Sequence, residues 1–209
     1  MRVIAGDNGG RRLVAPPGRA TRPTSDRVRE ATFSMIEAAL AGSGTASAGT
    51  PDGSLSDRTG TLQGATVWDL FAGSGAMGIE ALSRGAAHST FVDNARPAVS
   101  AVRSNLAALG YGSQRSTVVC ADVLNWAGAT RQGAPGSAGL QHAKVDLVMA
   151  DPPYAWRGWE VLLARLASLR PLVLAETGEE LELPPGWLAL RARRYGGTVV
   201  TLARFSEQL

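Results

Sequence analysis

The segment Asp151-Pro152-Pro153-Tyr154 follows the apolar run Val145–Ala150 and combines residue types that can activate an amine. The exocyclic amine of a nucleobase is a poor nucleophile because its lone pair is delocalised into the ring. Acceptors that grip the N–H groups favour a pyramidal nitrogen and so lower the barrier to attack on a methyl donor. The Asp151 carboxylate and the Pro152 carbonyl can be those acceptors, and the Tyr154 ring offers a face on which a base can stack.

The same four residues also fit a simpler interpretation. Proline fixes its own φ and pushes the preceding residue toward extended geometry, which makes this segment stiff and rich in acceptors. Asp and Pro are equally common where a strand ends in an ordinary turn. Taken alone, the tetrapeptide favours neither interpretation, so the elements around it have to decide.

Four aspartates stand at the ends of apolar, strand-like runs. Their successive spacings are 24, 29 and 29 residues, which is close to the length of one strand-helix-strand unit. The ends of parallel strands meet at the carboxyl edge of a sheet, where open α/β sheets bind their ligands. The spacing therefore predicts one shared site for Asp69, Asp93, Asp122 and Asp151.

A glycine-rich turn, Gly73-x-Gly75-x-x-Gly78, follows the first of these strands. Such a turn lets the backbone approach a ligand closely, and it matches the dinucleotide fingerprint, with Asp93 placed for a ribose. The match is weak when taken alone. Asp69, four residues before the first glycine, can instead meet a cationic amino group, and Asp151 with its prolines has no role in hydride transfer. Both features argue against a nicotinamide cofactor.

The apolar runs alternate with helical patterns from Ala65 onward, which indicates a mostly parallel α/β sheet. Two further runs are joined by Gly196-Gly197, which predicts an antiparallel hairpin at the end of the sheet. The predicted strands are Thr66–Leu70, Ser89–Val92, Thr117–Cys120, Val145–Ala150, Leu172–Ala175, Trp187–Tyr195 and Thr198–Phe205. The predicted helices begin after Thr24-Ser25-Asp26 and near 76–84, 95–109 and 157–169.

The N-terminal segment differs from the rest in charge. Residues 1–30 contain seven arginines and three acidic residues, a net charge of +4, whereas the remaining chain has a net charge of −1. A basic segment on a nearly neutral body predicts a polyanionic partner. We expect residues 1–25 to form a basic, hairpin-like arm and residues 26–209 to form one domain, with a flexible linker at 42–64 and a loop over Gly128–Ala143.

Composition excludes several classes of protein. The 209 residues suit one globular domain, and no apolar run approaches the length of a membrane span or a signal peptide. A cytoplasmic protein is the expectation. The single cysteine, Cys120, excludes an internal disulfide and is predicted to be buried. With two histidines and no Cys/His cluster, a metal site is not expected.

These motifs resemble motifs I to IV of S-adenosylmethionine-dependent methyltransferases. The phrases Arg22–Glu30 and Leu70–Gly85 resemble the bacterial RsmD family, which methylates guanine N2 in 16S ribosomal RNA, and the resemblance covers nearly the whole chain. It implies a Rossmann-like class I fold with a doubly wound seven-stranded sheet. It also implies S-adenosylmethionine as donor and 16S RNA, within the 30S subunit or an assembly intermediate, as partner of a monomeric enzyme.

The resemblance also implies residue roles. Asp69, Ala72, Gly73, Gly75 and Gly78 would surround the methionine part of the donor, Asp93 and Asn94 its ribose, and Asp122 and Val123 its adenine. The catalytic residues would be Asp151, Pro152 and Tyr154, with Trp156 able to flank the base. The RNA contacts would come from Arg2, Arg11, Arg12, Arg22, Thr24, Arg27, Arg29 and Arg157.

Two rival functions remain at this stage. A DNA adenine-N6 or cytosine-N4 methyltransferase shares the Asp-Pro-Pro-Tyr motif, but it would normally need a separate target-recognition region, for which no segment here is large enough. The more distant rival is a nucleotide-binding or RNA-binding module without catalysis.

Overall fold

The computed structural model describes residues 1–17, 25–42, 62–129 and 144–206, and these residues form a seven-stranded sheet flanked by helices. The strand order is β3-β2-β1-β4-β5-β7-β6, with β1 to β5 parallel and β7 antiparallel to both neighbours. The predicted α/β class and antiparallel end are confirmed. The strands are β1 Thr66–Leu70, β2 His88–Asp93, β3 Ser116–Cys120, β4 Leu147–Ala150, β5 Leu172–Thr177, β6 Trp187–Tyr195 and β7 Thr198–Phe205.

Five helices accompany the strands within the described residues. Sequence patterns predicted four of them with small differences at the ends, and missed the short α4, which contains Gly128 and lies partly in the predicted loop. The helices are α1 Asp26–Gly42, α2 Ala76–Ser83, α3 Arg96–Ala108, α4 Val123–Ala129 and α5 Trp159–Leu166.

Alternate side chains of β1 enter two separate hydrophobic clusters. Val67 packs in the cluster that includes residues of α1, α2 and α3, whereas Trp68 and Leu70 pack in the cluster that includes residues of α4 and α5. Strands buried on both faces are typical of parallel sheets with helices on each side. The doubly wound arrangement expected from the sequence is therefore present.

The chain changes direction across the sheet at β1 and β4, which are parallel neighbours with Leu70 opposite Ala150. Strands β2 and β3 lie on one side of this pair and β5 on the other. The crevice outside the carboxyl ends of such a pair is where doubly wound folds bind ligands. Asp69, within β1, and Asp151, directly after β4, both lie at this position.

The antiparallel end of the sheet is a hairpin with a two-residue turn. Tyr195 lies opposite Thr198, and Gly196 has a φ of 61°, in the left-handed region that glycine tolerates. Val199 lies opposite Thr177 of β5, so this turn stands at the same edge of the sheet as the carboxyl ends of β1 to β5. The hairpin therefore reaches the ligand-binding edge.

The N-terminal arm forms the expected hairpin, with Arg2 and Arg12 as an antiparallel bridge. It packs on the domain: Val3 and Leu13 are buried in the hydrophobic cluster on the α1 side of the sheet. The buried carboxylate of Glu80, on α2, accepts hydrogen bonds from the N–H groups of Ile4 (2.7 Å) and Ala5 (3.0 Å). Residues 1–17 thus pack on the core of the domain, and the boundary at residue 25 stays a prediction.

Two local expectations need correction. The predicted linker ended at Gly64, but Leu62 is fully buried in the core and Gly64 donates to the Gly85 carbonyl; residues 43–61 lie outside the described part of the chain. Cys120 was expected to be buried, yet it is exposed. It is the last residue of β3, which lies at an edge of the sheet, where an apolar run does not require burial on both faces.

Candidate active site

Three glycines shape the turn between β1 and α2, and they do so differently. Gly73 has a φ of 55° and open space where a side chain would lie, so a ligand can approach its backbone. Gly75 has a φ of 78° and faces Val102 and Phe91. A Cβ on Gly78 would lie 2.4 Å from the Phe91 ring, so this glycine lets α2 pack on β2. Of the three, only Gly73 fits the direct donor contact expected from the sequence.

Asp69 is the most perturbed carboxyl group of the site. It is 4% exposed, and one carboxylate oxygen accepts a hydrogen bond of 2.8 Å from the Gly78 N–H. Burial is the main cause that raises the pKa of Asp69 to about 8, and the negative charges of Asp151 and Asp93 raise it further, while the Gly78 hydrogen bond lowers it. Of the four aspartates for which the spacing predicted a shared site, Asp69, Asp93 and Asp151 are close enough for their charges to interact. A positive charge bound here would be stabilised.

Asp93 connects β2 to the glycine turn. One of its carboxylate oxygens accepts from the Gly73 N–H (2.9 Å) and the other from the Ala95 N–H (2.8 Å). These bonds fix the carboxylate beside the only open glycine of the turn. Asn94 is exposed next to it. The arrangement suits contact with ligand hydroxyl groups, for which a carboxylate keeps further acceptor positions.

Asp122, two residues after β3, is more exposed than Asp69, Asp93 and Asp151. It is exposed, and its carboxylate accepts from the Asn125 N–H (2.9 Å), as the N-cap of α4. The Val123 side chain is buried in the hydrophobic cluster on the α4 and α5 side, so a ligand can meet only its backbone. The contribution of these two residues to an adenine site stays a prediction.

The segment after β4 faces outward. Asp151 is half-buried and Pro152 is buried, whereas Tyr154 is 57% exposed. The Tyr154 hydroxyl shares a hydrogen bond of 2.7 Å with the Thr198 hydroxyl, and its ring lies beside Gly178. An aromatic face is thus held over the ligand edge while it remains open to solvent.

A contact between Phe71 and Trp156 joins the two halves of the site. Their rings are 4.9 Å apart in a T-shaped arrangement, and Trp156 makes a second such contact with Trp159. Phe71 adopts a φ of 62°, which is unusual for a residue other than glycine. Trp156 is therefore in contact with two rings and is half-buried, and the expectation that it flanks a base stays a prediction.

The predicted RNA-binding arginines divide into exposed and buried ones. Arg12, Arg27 and Arg157 are exposed; Arg2 pairs with Asp26 (3.1 Å), and Arg11 donates to the Ala108 carbonyl (2.9 Å). Arg22 and Thr24 lie outside the described residues.

Arg29 is a correction. It is 1% exposed, its guanidinium donates to the Arg2 carbonyl and to Asp26, and burial lowers its pKa. A side chain enclosed in this way cannot reach RNA. Its role is to join the arm to the start of α1.

Sequence reasoning missed three residues around the site: Phe71, Glu80 and Thr198. Glu80 carried a local signal, because a carboxylate in the otherwise apolar first turns of α2 must be paired when it is buried. The hydrogen bond between Thr198 and Tyr154 spans 44 residues of sequence, and no local pattern announces it.

The residues present fit S-adenosylmethionine. The donor carries positive charge on its sulfur and amino group, and the crevice offers the Asp69 carboxyl group, whose pKa is raised mainly by burial and further by the negative charges of Asp151 and Asp93. The open backbone at Gly73 and the carboxylate of Asp93 stand beside it.

Solved structures share this architecture. "Putative methyltransferase yhhF" from Escherichia coli superposes with a TM-score of 0.71 and 26% identity, covering 100% of this chain and 99% of that one. The strand order, the glycine turn at the crevice and the Asp-Pro-Pro-Tyr segment beside it define a class I S-adenosylmethionine-dependent methyltransferase.

Sequence relatives identify the family. The chain is 35% identical to "Putative rRNA methyltransferase YlbH" of Bacillus subtilis, over 97% of both chains. It is 31% identical to ribosomal RNA small subunit methyltransferase D of Escherichia coli K12, over 93% of this chain and 73% of that protein. The family model described as "Conserved hypothetical protein 95" matches residues 1–204, and this chain belongs to that family, the RsmD family.

Within the described residues, no helix is long and apolar enough to cross a membrane.

Proposed function

We propose that this methyltransferase acts on the exocyclic N2 amine of a guanine in 16S ribosomal RNA of the small subunit. The observation that carries the amine chemistry is the position of Asp151, directly after β4 and so beside the β1 strand of Asp69 at the crevice, with the exposed Tyr154 three residues further on. The substrate class is supported by relatives that are named as ribosomal RNA methyltransferases. The same names do not favour the rival DNA amino-methyltransferase.

Donor and target have separate places in this proposal. S-adenosylmethionine supplies an activated methyl group on a cationic sulfur. Asp69 and the Gly73 backbone would hold its amino acid part, and Asp93 its ribose. The Gly78 N–H already holds the Asp69 side chain by a hydrogen bond, so the carboxyl group would be in position to meet a cation once it has lost its proton.

The target guanine is placed by Asp151, Pro152 and Tyr154. The Asp151 carboxylate and the Pro152 carbonyl accept hydrogen bonds from the N2 amine, which localises its lone pair as the nitrogen attacks. Tyr154 stacks on the base, with its ring orientation fixed by Thr198. A guanine inside a helix cannot reach this position, so the target must be unpaired or flipped.

The arm supplies positive charge beside the site. A surface cavity of about 660 Å³ is lined by Arg2, Arg12 and Asp26, among others, and can receive a phosphate group. The Met1 sulfur accepts a hydrogen bond from Ser74 of the glycine turn (3.2 Å), which brings this cavity next to the donor site. Arg11, Arg27 and Arg157 extend the basic surface, and Arg22 and Thr24 keep the same proposed role. We place the monomeric enzyme in the cytoplasm, with its RNA.

A labelling experiment tests the substrate. The purified protein is given S-adenosylmethionine with a tritiated methyl group, together with 30S particles, protein-free 16S RNA or duplex DNA. We expect label in RNA, recovered after nuclease digestion as N2-methylguanosine. Label in another nucleoside would refute the guanine assignment, and label confined to DNA would refute the substrate class.

A further inference from the structure

We propose that Arg191 and Arg193, on the free edge of the sheet, bind phosphates of the RNA strand that flanks the target guanine. This interaction surface, which we call the β6 edge, rests on the proposed RNA substrate and goes beyond the arm. It assigns RNA contacts to the opposite end of the chain from the basic N-terminal segment.

Among the strands of the described residues, β6 ends the strand order, so one of its sides pairs with none of them. Seven consecutive residues, 188–194, are exposed, and they include Arg191, Arg193 and Arg194 but no acidic residue. Within the described residues none of these three arginines forms an ion pair. Their charges are therefore available to an external anion.

The β6 edge is continuous with the target side of the crevice. Tyr195 follows it directly and lies opposite Thr198, whose hydroxyl holds the Tyr154 hydroxyl at 2.7 Å. The Arg194 guanidinium donates a hydrogen bond of 3.4 Å to the Gly178 carbonyl. The Tyr154 ring lies beside the same glycine. An RNA strand whose target base stacks on Tyr154 would thus leave the site along β6.

Arg191 and Arg193 share one face of β6. Arg191 and Arg193 lie opposite Leu202 and Val200, which belong to the hydrophobic cluster on the α1 side. The loop between β5 and β6 carries three glutamates, but its leucines pack on the other cluster, so this loop covers the opposite face. Within the described residues, neither arginine of the pair forms an ion pair with Glu179, Glu180 or Glu182 of this loop.

Charged residues on an edge strand also have another use, because they prevent pairing with a second sheet. Charge reversal separates the two roles. A glutamate protects an edge as well as an arginine does, but it repels phosphate, so aggregation and RNA binding respond differently to the same substitution.

The experiment measures the Kd of the full-length protein for protein-free 16S RNA fragments that wild-type protein methylates. Arg193→Glu is compared with Arg103→Glu, an exposed arginine on α3, which packs on β2 and β3 at the far end of the sheet. We expect at least a tenfold weaker Kd for Arg193→Glu and less than a twofold change for Arg103→Glu. The affinity for S-adenosylmethionine should be unchanged in both.

The salt dependence gives a second measure. The logarithm of the association constant for RNA falls linearly with the logarithm of the salt concentration. In the double variant Arg191→Glu/Arg193→Glu this slope should be less steep by about 1.5, as expected for two lost phosphate contacts. The variant Arg191→Lys/Arg193→Lys should keep most of the affinity.

Three results would separate the possible failures. Equal Kd values for Arg193→Glu and Arg103→Glu, with an active wild type, would overturn the β6 edge alone. A defect seen only with 30S particles and absent with protein-free RNA would indicate a protein partner, and would also overturn it. If wild-type protein labels no RNA, the proposed function itself fails.

Discussion

The donor side and the target side of the crevice are built in opposite ways. On the donor side, Asp69 is nearly inaccessible, and backbone N–H groups of the glycine turn and of Ala95 fix Asp69 and Asp93. On the target side, Tyr154 is more than half exposed, and one hydroxyl pair with Thr198 holds it. On the donor side the polar groups are already hydrogen-bonded within the protein, whereas the target side is an open surface.

The difference follows from what each side must bind. A small cationic donor can be enclosed, so its site can be formed by buried groups that need no reorganisation. A nucleotide within a large RNA arrives with its neighbours attached, so its site must stay accessible. Substitutions on the donor side should therefore change donor affinity and protein stability, and those on the target side should change turnover and RNA affinity.

The largest expected effect is on the target side. Asp151→Ala removes an acceptor from the attacking amine, so we expect kcat to fall roughly 10²- to 10³-fold, with donor affinity retained. Asp151→Asn keeps an acceptor oxygen without the charge, so its kcat should lie between those of the wild type and Asp151→Ala. Single-turnover methylation and donor titration check this. Unchanged turnover in a folded Asp151→Ala protein would contradict the catalytic assignment.

The next largest effect is on the donor side. Asp69→Asn removes the charge that meets the donor cation, so we expect roughly 10- to 100-fold weaker donor binding, measured by calorimetry. In the wild type, donor affinity should also increase as the pH rises toward 8, because binding requires the ionised carboxylate. The Asn variant should lack this dependence. Equal donor affinities for variant and wild type would contradict the assignment.

Asp69→Asn should weaken donor binding, but it should raise the stability of the protein without donor. The Asp69 carboxyl holds its proton up to about pH 8 in the folded protein, against an ordinary value of 3.8. The folded state therefore binds more protons between these values, so wild-type stability falls as the pH rises through this window. Asp69→Asn removes this loss. Its melting temperature without donor should exceed that of the wild type most at pH 8, and the excess should vanish near pH 4.

Much of the donor side could be predicted from the sequence, because its geometry is local. Strands β1, β6 and β7 have the predicted bounds; β6 lies between Gly186 and Gly196, and β7 follows Gly197 directly. Once the strands are parallel, Asp69, Asp93 and Asp151 must end at one edge. The glycine turn, which follows β1, must then lie at this edge as well.

Long-range pairing could not be predicted. Arg29 has the sequence context of an exposed helical arginine, and only its enclosure beside Arg2 and Asp26 makes it structural. Asn105, on α3, donates to the carbonyls of both Val14 and Ser74 (2.9 Å each), although 91 and 31 residues separate it from them. Such contacts depend on how the elements pack, which residue spacing does not encode.

A smaller effect should come from the stacking residue of the target side. Tyr154→Ala should weaken RNA binding by about 1–3 kcal/mol, the range for one base stacked on an aromatic ring, and leave donor affinity unchanged. Tyr154→Phe keeps the ring, and Thr198→Val removes the same hydroxyl pair from its other end. Tyr154→Phe and Thr198→Val should have similar KM values for RNA, and these values should be closer to wild type than that of Tyr154→Ala. If Tyr154→Phe were as defective as Tyr154→Ala, orientation by the hydroxyl would matter more than stacking.

The smallest effect concerns the support beneath the donor side. Glu80→Gln keeps the shape of the side chain but replaces one acceptor of the Ile4 and Ala5 N–H groups with a donor, within a fully buried site. We expect a loss of about 1–2 kcal/mol, which lowers the melting temperature by several degrees. Glu37→Gln is the control, because Glu37 and Glu80 both pair with Arg84 (2.8 Å each) but Glu37 is partly exposed, so its substitution should change stability little. Since α2 begins at the glycine turn, a loosened arm should also weaken donor binding slightly. Equal melting temperatures for the two variants would show that the arm is held by its buried apolar residues rather than by Glu80.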